Sequence, residues 1–203
     1  MLLQVEKIEK SFGPHRVLSG LSFTADRGEV VGILGANGVG KTTLLRIINC
    51  LLEPDGGLVR FDGHPMTRDD LAMVGYLPEE RGLYRRMCVG EQVLYLARLK
   101  GMTKAAAEES AHEWFHRLGA EEWWKRQASM LSKGMQQKVQ FIASVVHRPQ
   151  LLILDEPFSG FDSDNATMLR REIGHLRDSG TAILLSTHNM QAAADLCTKT
   201  VQL

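Results

Sequence analysis

Charge of one sign is not in excess in this chain. Lysine plus arginine and aspartate plus glutamate each number 24 among 203 residues, so the formal net charge is zero. A nucleic-acid surface driven by bulk charge is therefore not expected, which leaves only local patches. Cysteine is scarce: Cys50, Cys88 and Cys197 are three in number, far apart, and form no Cys-x-x-Cys pair. That argues against a disulfide framework and against a structural zinc site, and points to buried free thiols in a reducing compartment. No apolar run approaches the ~20 residues that span a bilayer. Met1–Glu6 turns polar at once, so no secretory signal is expected there and any membrane role comes through a partner. Internal repeats, low-complexity linkers and heptad runs are also absent.

The length suits one α/β domain with a sizeable core. Within it stand Gly35, Ala36, Asn37, Gly38, Val39, Gly40, Lys41 and Thr42, which match the phosphate-loop pattern G-x-x-x-x-G-K-[ST]. Glycines let backbone N–H groups wrap closely around phosphates. In that pattern Lys41 reaches the β- and γ-phosphates and the Thr42 hydroxyl ligates Mg²⁺. The context is right for it: Glu29–Leu34 is a short apolar run suited to a buried strand, and Thr42–Ile48 continues as a helix whose positive end faces the same phosphates.

Elsewhere the pattern predicts strands at Leu2–Ile8 and Leu18–Thr24 around Gly13-Pro14, at Gly57–Asp62 before an Asp62-Gly63 turn, and at Ala72–Leu77. From about Val89 to Ala128 apolar residues recur at helical spacing, and Gly101 and Gly119 look like helix ends. A further helix is predicted from Ser132 to about His147. Then come a buried strand at Leu151–Leu154, a helix at Asn165–Leu176, a strand at Ala182–Leu185, a helix at Met190–Leu196 and an edge strand from Thr200.

Leu151–Leu154 is followed by Asp155 and Glu156. A parallel strand delivers such carboxylates at its C-terminal end, where α/β sheets bind ligands. Asp155 is read as holding Mg²⁺ opposite Thr42, and Glu156 as polarising the attacking water. Leu131-Ser132-Lys133-Gly134-Met135-Gln136-Gln137 opens a long helix with Ser132 as a plausible N-cap, a geometry that also suits an anion.

With these pieces in this order the chain resembles the ATP-binding cassette (ABC) ATPases along essentially its whole length. The resemblance also takes in Ser159-Gly160-Phe161-Asp162 and Ser186-Thr187-His188. It implies a phosphate-loop ATPase fold with a mostly parallel sheet, an antiparallel β-subdomain and an inserted helical subdomain. In that division 1–88 and 149–203 form the core and 89–148 the helical part. It implies ATP and Mg²⁺ as cofactors and a head-to-tail pairing with itself or a paralogue. Each ATP would be gripped by Gly35–Thr43 of one copy and by Ser132 and Gly134 of the other. Asp162 would sit at the seam, or simply cap its helix. His188 would contact the γ-phosphate, or be a strand-end histidine. Phe12 would stack on adenine, or belong to the core. Glu79 would ligate Mg²⁺ where relatives have Gln, or be a solvated loop acid.

Lys133 and Met135 depart from the usual Leu-Ser-Gly-Gly-Gln signature. The run Gly75-Tyr76-Leu77-Pro78-Glu79-Glu80-Arg81-Gly82-Leu83-Tyr84, together with Leu131-Ser132-Lys133-Gly134, resembles a prokaryotic branch serving sodium and drug export. That implies transmembrane permease partners, a cytoplasmic chain peripheral on the inner face of the membrane, and neither nucleic acid nor structural metal. Relatives usually continue beyond the point matching Leu203 with further strands and a small helical part. A soluble ABC ATPase acting on DNA or ribosomes is the alternative reading. A remote one is a zinc hydrolase, since His112-Glu113-Trp114-Phe115-His116 fits H-E-x-x-H. Trp123 and Trp124 are core singly, and a partner-binding patch if exposed together.

Overall fold

The computed structural model describes residues 1–80, 82–189 and 195–203. Three strands at the centre are buried at every position and apolar until their C-terminal ends: β3 (Val30–Leu34), β7 (Leu151–Asp155, ending in Asp155) and β8 (Ala182–Thr187, ending in Ser186 and Thr187). Strands buried on both faces read as continuous apolar runs, and they belong in a parallel sheet covered on each side. With β6 (Val74–Leu77) and β9 (Lys199–Gln202) they form a five-stranded sheet in the order β6-β7-β8-β3-β9. Every pairing in it is parallel. Period-two alternation divides each strand between two cores. Leu152 and Leu154 of β7 and Ile183 and Leu185 of β8 face one cluster, whereas Leu151, Ile153, Ala182 and Leu184 face the other.

The second cluster is shared with an antiparallel sheet, β2-β1-β4-β5, made of β1 (Leu3–Phe12), β2 (His15–Ala25), β4 (Gly56–Phe61) and β5 (His64–Pro65). Gly13 turns β1 into β2 with φ +57°, and Asp62 and Gly63, both left-handed, turn β4 into β5. Helix α1 (Lys41–Ile48) packs beneath, with Leu44, Leu45, Ile47 and Ile48 buried.

Between β6 and β7 the chain makes α2 (Val89–Leu99), α3 (Lys104–Arg117) and α4 (Lys133–Val145), and α5 (Ser163–Asp178) follows β7. Gly101 and Gly119, at φ +90° and +61°, end α2 and α3 as the sequence predicts. Two close approaches fix this region, one against the sheet and one within the helices. A Cβ on Gly75 would lie 2.1 Å from the Ser144 carbonyl oxygen, so β6 runs directly against the α4 backbone. A Cβ on Gly90 would lie 2.4 Å from Trp124, so the indole sits on bare α2 backbone. Trp123 and Trp124 are both half-buried against the core, not an exposed pair. The predicted helix at Met190–Leu196 falls outside the described residues except for Asp195 and Leu196, which lie in a turn. Among the described residues no helix is long and apolar enough to cross a membrane.

Candidate functional site

Strand order alone assembles the site. Because β7, β8 and β3 are adjacent and parallel, their C-terminal ends open on one edge. Leu34 delivers residues 35–40, β7 delivers Asp155 and Glu156, and β8 delivers His188. The loop turns through left-handed Gly38 and Gly40, at φ +79° and +117°, and Gly40 is the N-cap of α1. A Cβ on Gly40 would meet Val17 at 2.6 Å, so β2 closes the outside of the loop and only glycine fits there.

Lys41, buried, donates from Nζ to the carbonyls of Gly35 at 2.9 Å and Ala36 at 3.1 Å. Its Nζ also stands 3.5 Å from Glu156 Oε1. Thr42 Oγ1 donates to Asp155 Oδ2 at 2.8 Å. His188 Nδ1 lies 3.0 Å from Glu156 Oε1. Glu156 itself is a non-glycine residue at φ +48°, where an L side chain crowds its own backbone. Lys41, Thr42, Asp155 and Glu156 border one cavity of about 430 Å³, whose lining also includes Phe12, Asn37, Thr43 and Glu79, and His188 joins it through Glu156. The glycine cradle fits phosphate groups, and an oxygen-only pair such as Thr42 with Asp155 fits a hard cation such as Mg²⁺.

Phe12 is 51 % exposed, which removes the core alternative. It sits at the end of β1, paired with His15 across the tight turn, beyond the buried stretch of the sheet. Val39 and Ala36 close the loop on themselves through an N–H···O contact of 3.4 Å. Glu79 is exposed at the cavity edge, in reach of solvent as well as of the site. Ser132 and Gly134 do not border this cavity. Ser132 caps α4, its hydroxyl accepting the Met135 N–H at 3.3 Å, and is itself exposed. Asp162 caps α5 through the Asn165 N–H at 2.8 Å.

Three neighbours escaped the sequence reading. His15 and Val17 share one face of β2 and line the cavity beside Phe12, a period-two signal that was available. Ser186, buried on β8 and read in the sequence only as part of Ser186-Thr187-His188 with no role of its own, donates to Asp155 Oδ1.

The metal-protease pattern resolves differently. His112 stacks on Trp124 with ring centres 4.2 Å apart. His116 bonds Glu121 at 2.6 Å. Glu113 pairs with Arg117 at 3.6 Å and Arg148 at 3.8 Å. No group of three metal-ligating side chains gathers among the described residues.

Comparison with known proteins agrees with this geometry. Residues 18–159 match the family model described as ABC transporter. The chain is 43 % identical over 196 residues to the ABC transporter ATP-binding protein YhaQ of Bacillus subtilis, covering 97 % of this chain and 66 % of that one. It is 43 % identical over 195 residues to the ABC transporter ATP-binding protein MJ1023 of Methanocaldococcus jannaschii, covering 96 % and 71 %. It thus spans about two thirds of the length of these relatives. A solved structure of an ATP-binding subunit of an ABC transporter superposes with a TM-score of 0.93 at 30 % identity, covering all of this chain and 86 % of the other. By its sequence, its α/β phosphate-loop fold and this cluster of residues, the chain belongs to the ABC transporter family, among its ATP-binding proteins.

Proposed function

We propose that this chain binds MgATP and hydrolyses it in a head-to-tail pair, driving a transporter whose membrane-spanning subunits are separate chains. The observation that carries the reading is the convergence of Lys41, Thr42, Asp155 and Glu156 on one cavity behind a glycine loop, with His188 against Glu156. The loop amides and Lys41 hold the β- and γ-phosphates, with Nζ turning from the Gly35 and Ala36 carbonyls to phosphate oxygens. Thr42 and Asp155 hold Mg²⁺, with Glu79 on the same cavity as a further oxygen donor. Bound Mg²⁺ supplies charge neutralisation on the transferred phosphoryl group.

Glu156 accepts a proton from the attacking water, and His188 orients that carboxylate while reaching toward the γ-phosphate. Phe12, exposed at the cavity mouth, stacks on the adenine. Ser132 and Gly134 serve the nucleotide of the second copy: they sit at an exposed helix start, away from this chain's own phosphate loop. Lys133 adds a cation there, and Asp162 lies at the seam.

The membrane partner contacts α2 and the loop before it. Tyr84, Tyr95 and Leu99 are 57 %, 46 % and 64 % exposed, a large apolar surface for one short region. A cavity of about 620 Å³ runs along the same helix. The chain is thereby peripheral to the inner face of the membrane, and the resemblance of Gly75–Tyr84 to the exporter branch supports export. Glu156→Gln removes the proton acceptor and keeps the shape. ATP binding is expected to persist while turnover falls by about a hundred-fold or more, read by bound-nucleotide analysis and phosphate release. Turnover at the unmodified rate would remove Glu156 from this role.

A further inference from the structure

Two carboxylates of different duty, Asp155 and Glu156, are served by one hydroxyl. Ser186 is fully buried on β8. Its Oγ donates to Asp155 Oδ1 and accepts the backbone N–H of Glu156 at 3.1 Å. The parallel register that sets Asp155 opposite Ser186 makes both contacts possible at once. A serine hydroxyl has one proton and two lone pairs, so one side chain can do both jobs.

The consequences fall on both carboxylates. With Oδ1 engaged, the Asp155 carboxylate cannot turn freely, and its other oxygen, Oδ2, is held toward Thr42 at 2.8 Å. Glu156, in turn, starts from a left-handed backbone that an L residue adopts only when its surroundings enforce it. Its N–H is gripped twice by the same residue, by the Ser186 carbonyl at 3.1 Å and by the hydroxyl at 3.1 Å. That grip aims the Glu156 side chain back across the sheet edge to Lys41 and His188.

We infer that Ser186 is a positioning residue for the metal and for the attacking water. Its hydroxyl orients Asp155 toward the cation shared with Thr42 and fixes the turn that points Glu156 into the cavity. This inference rests on the MgATP reading of the site. It differs from the roles of Lys41 and Thr42 in that Ser186 touches neither nucleotide nor cation and acts through two other side chains.

The test uses Ser186→Ala and Ser186→Thr in the full chain. Mn²⁺ stands in for Mg²⁺, its binding beside a non-hydrolysable ATP analogue followed by the electron spin resonance of free Mn²⁺. Steady-state kcat and KM for ATP are measured alongside. Ser186→Ala is expected to weaken Mn²⁺ binding about ten-fold and to lower kcat at least as much. KM and analogue affinity without metal should stay within about two-fold, and Ser186→Thr should recover both losses. Unchanged Mn²⁺ binding and kcat in Ser186→Ala would overturn the inference. So would equal damage in Ser186→Thr, because the hydroxyl would then not be what matters. Should Ser186→Ala fail to fold, Ser186→Cys keeps the shape with a much weaker donor and is read against Ser186→Thr in the same way. Failure of the unmodified chain to bind Mn²⁺ with the analogue would refute the parent reading, whereas normal binding with an indifferent Ser186→Ala refutes this inference alone.

Discussion

Lys41 is held inside the loop it serves. A buried ammonium needs partners, and here they are two carbonyls of its own loop and the Glu156 carboxylate. Lys41→Ala is therefore expected to cost the loop both its internal tie and its cation. Nucleotide affinity should fall on the order of ten- to a hundred-fold, the worth of charge-assisted hydrogen bonds to phosphate. Titration with a fluorescent ATP analogue measures it, and near-normal affinity would refute the cradle.

At this scale the sequence was legible where chemistry is local. Gly35–Thr42 reads directly because every member of the loop is a near neighbour in the chain. Ser186 did not, because its duty arises from register between two strands 31 residues apart. Phe12 left two readings open because a strand-end aromatic carries the same local pattern inside or outside a core. The turn at Gly13-Pro14 decides it.

Among the elements, α4 reaches two segments of the site. Its Gln137 donates to the Pro157 carbonyl at 3.0 Å and its Gln140 to the Glu80 carbonyl at 3.0 Å. A helix that opens at Ser132 thus touches both the segment after Glu156 and the loop that carries Glu79. At its far end, His147 Nε2 faces the Val74 carbonyl at 3.1 Å, and its buried Nδ1 has no hydrogen-bond partner. Burial, helped by the nearby Lys100 cation and opposed by the Val74 contact, pushes His147 down from its ordinary 6.5 to about 4.

The folded chain therefore binds this proton less readily than the unfolded one. Full stability is present above pH 6.5 and is lost as pH falls toward 4. His147→Gln, which does not titrate, should flatten that part of the stability curve in urea unfolding at a series of pH values. An unchanged slope between those limits would show that His147 is not the group responsible.

Element existence was largely legible from periodicity and from Gly101, Gly119 and Pro149 as punctuation. Element ends were less so: β2 begins at His15, three residues before the apolar run that announced it. Pairing with β1 extends a strand past its own hydrophobic signal.

For the whole molecule, strand order was the part least written in the sequence. Each of β3, β7 and β8 is announced by its apolar run, but nothing local says that β8 lies between β7 and β3. That placement sets Ser186 against Asp155 and puts the carboxylates beside the glycine loop. It also leaves Ser132 and Gly134 outside the cavity, as the proposed head-to-tail pair requires. Under the proposed pairing, hydrolysis is a property of pairs.

The measurement that tests this most directly is the rate of ATP hydrolysis per molecule as protein concentration rises, with Mg²⁺, for the unmodified chain and for Glu156→Gln. A head-to-tail pair gives a rate per molecule that climbs with concentration toward a plateau and is lost throughout in Glu156→Gln. A rate per molecule that stays constant across concentrations would contradict it, for each chain would then be complete in itself and Ser132 and Gly134 would have no nucleotide to serve.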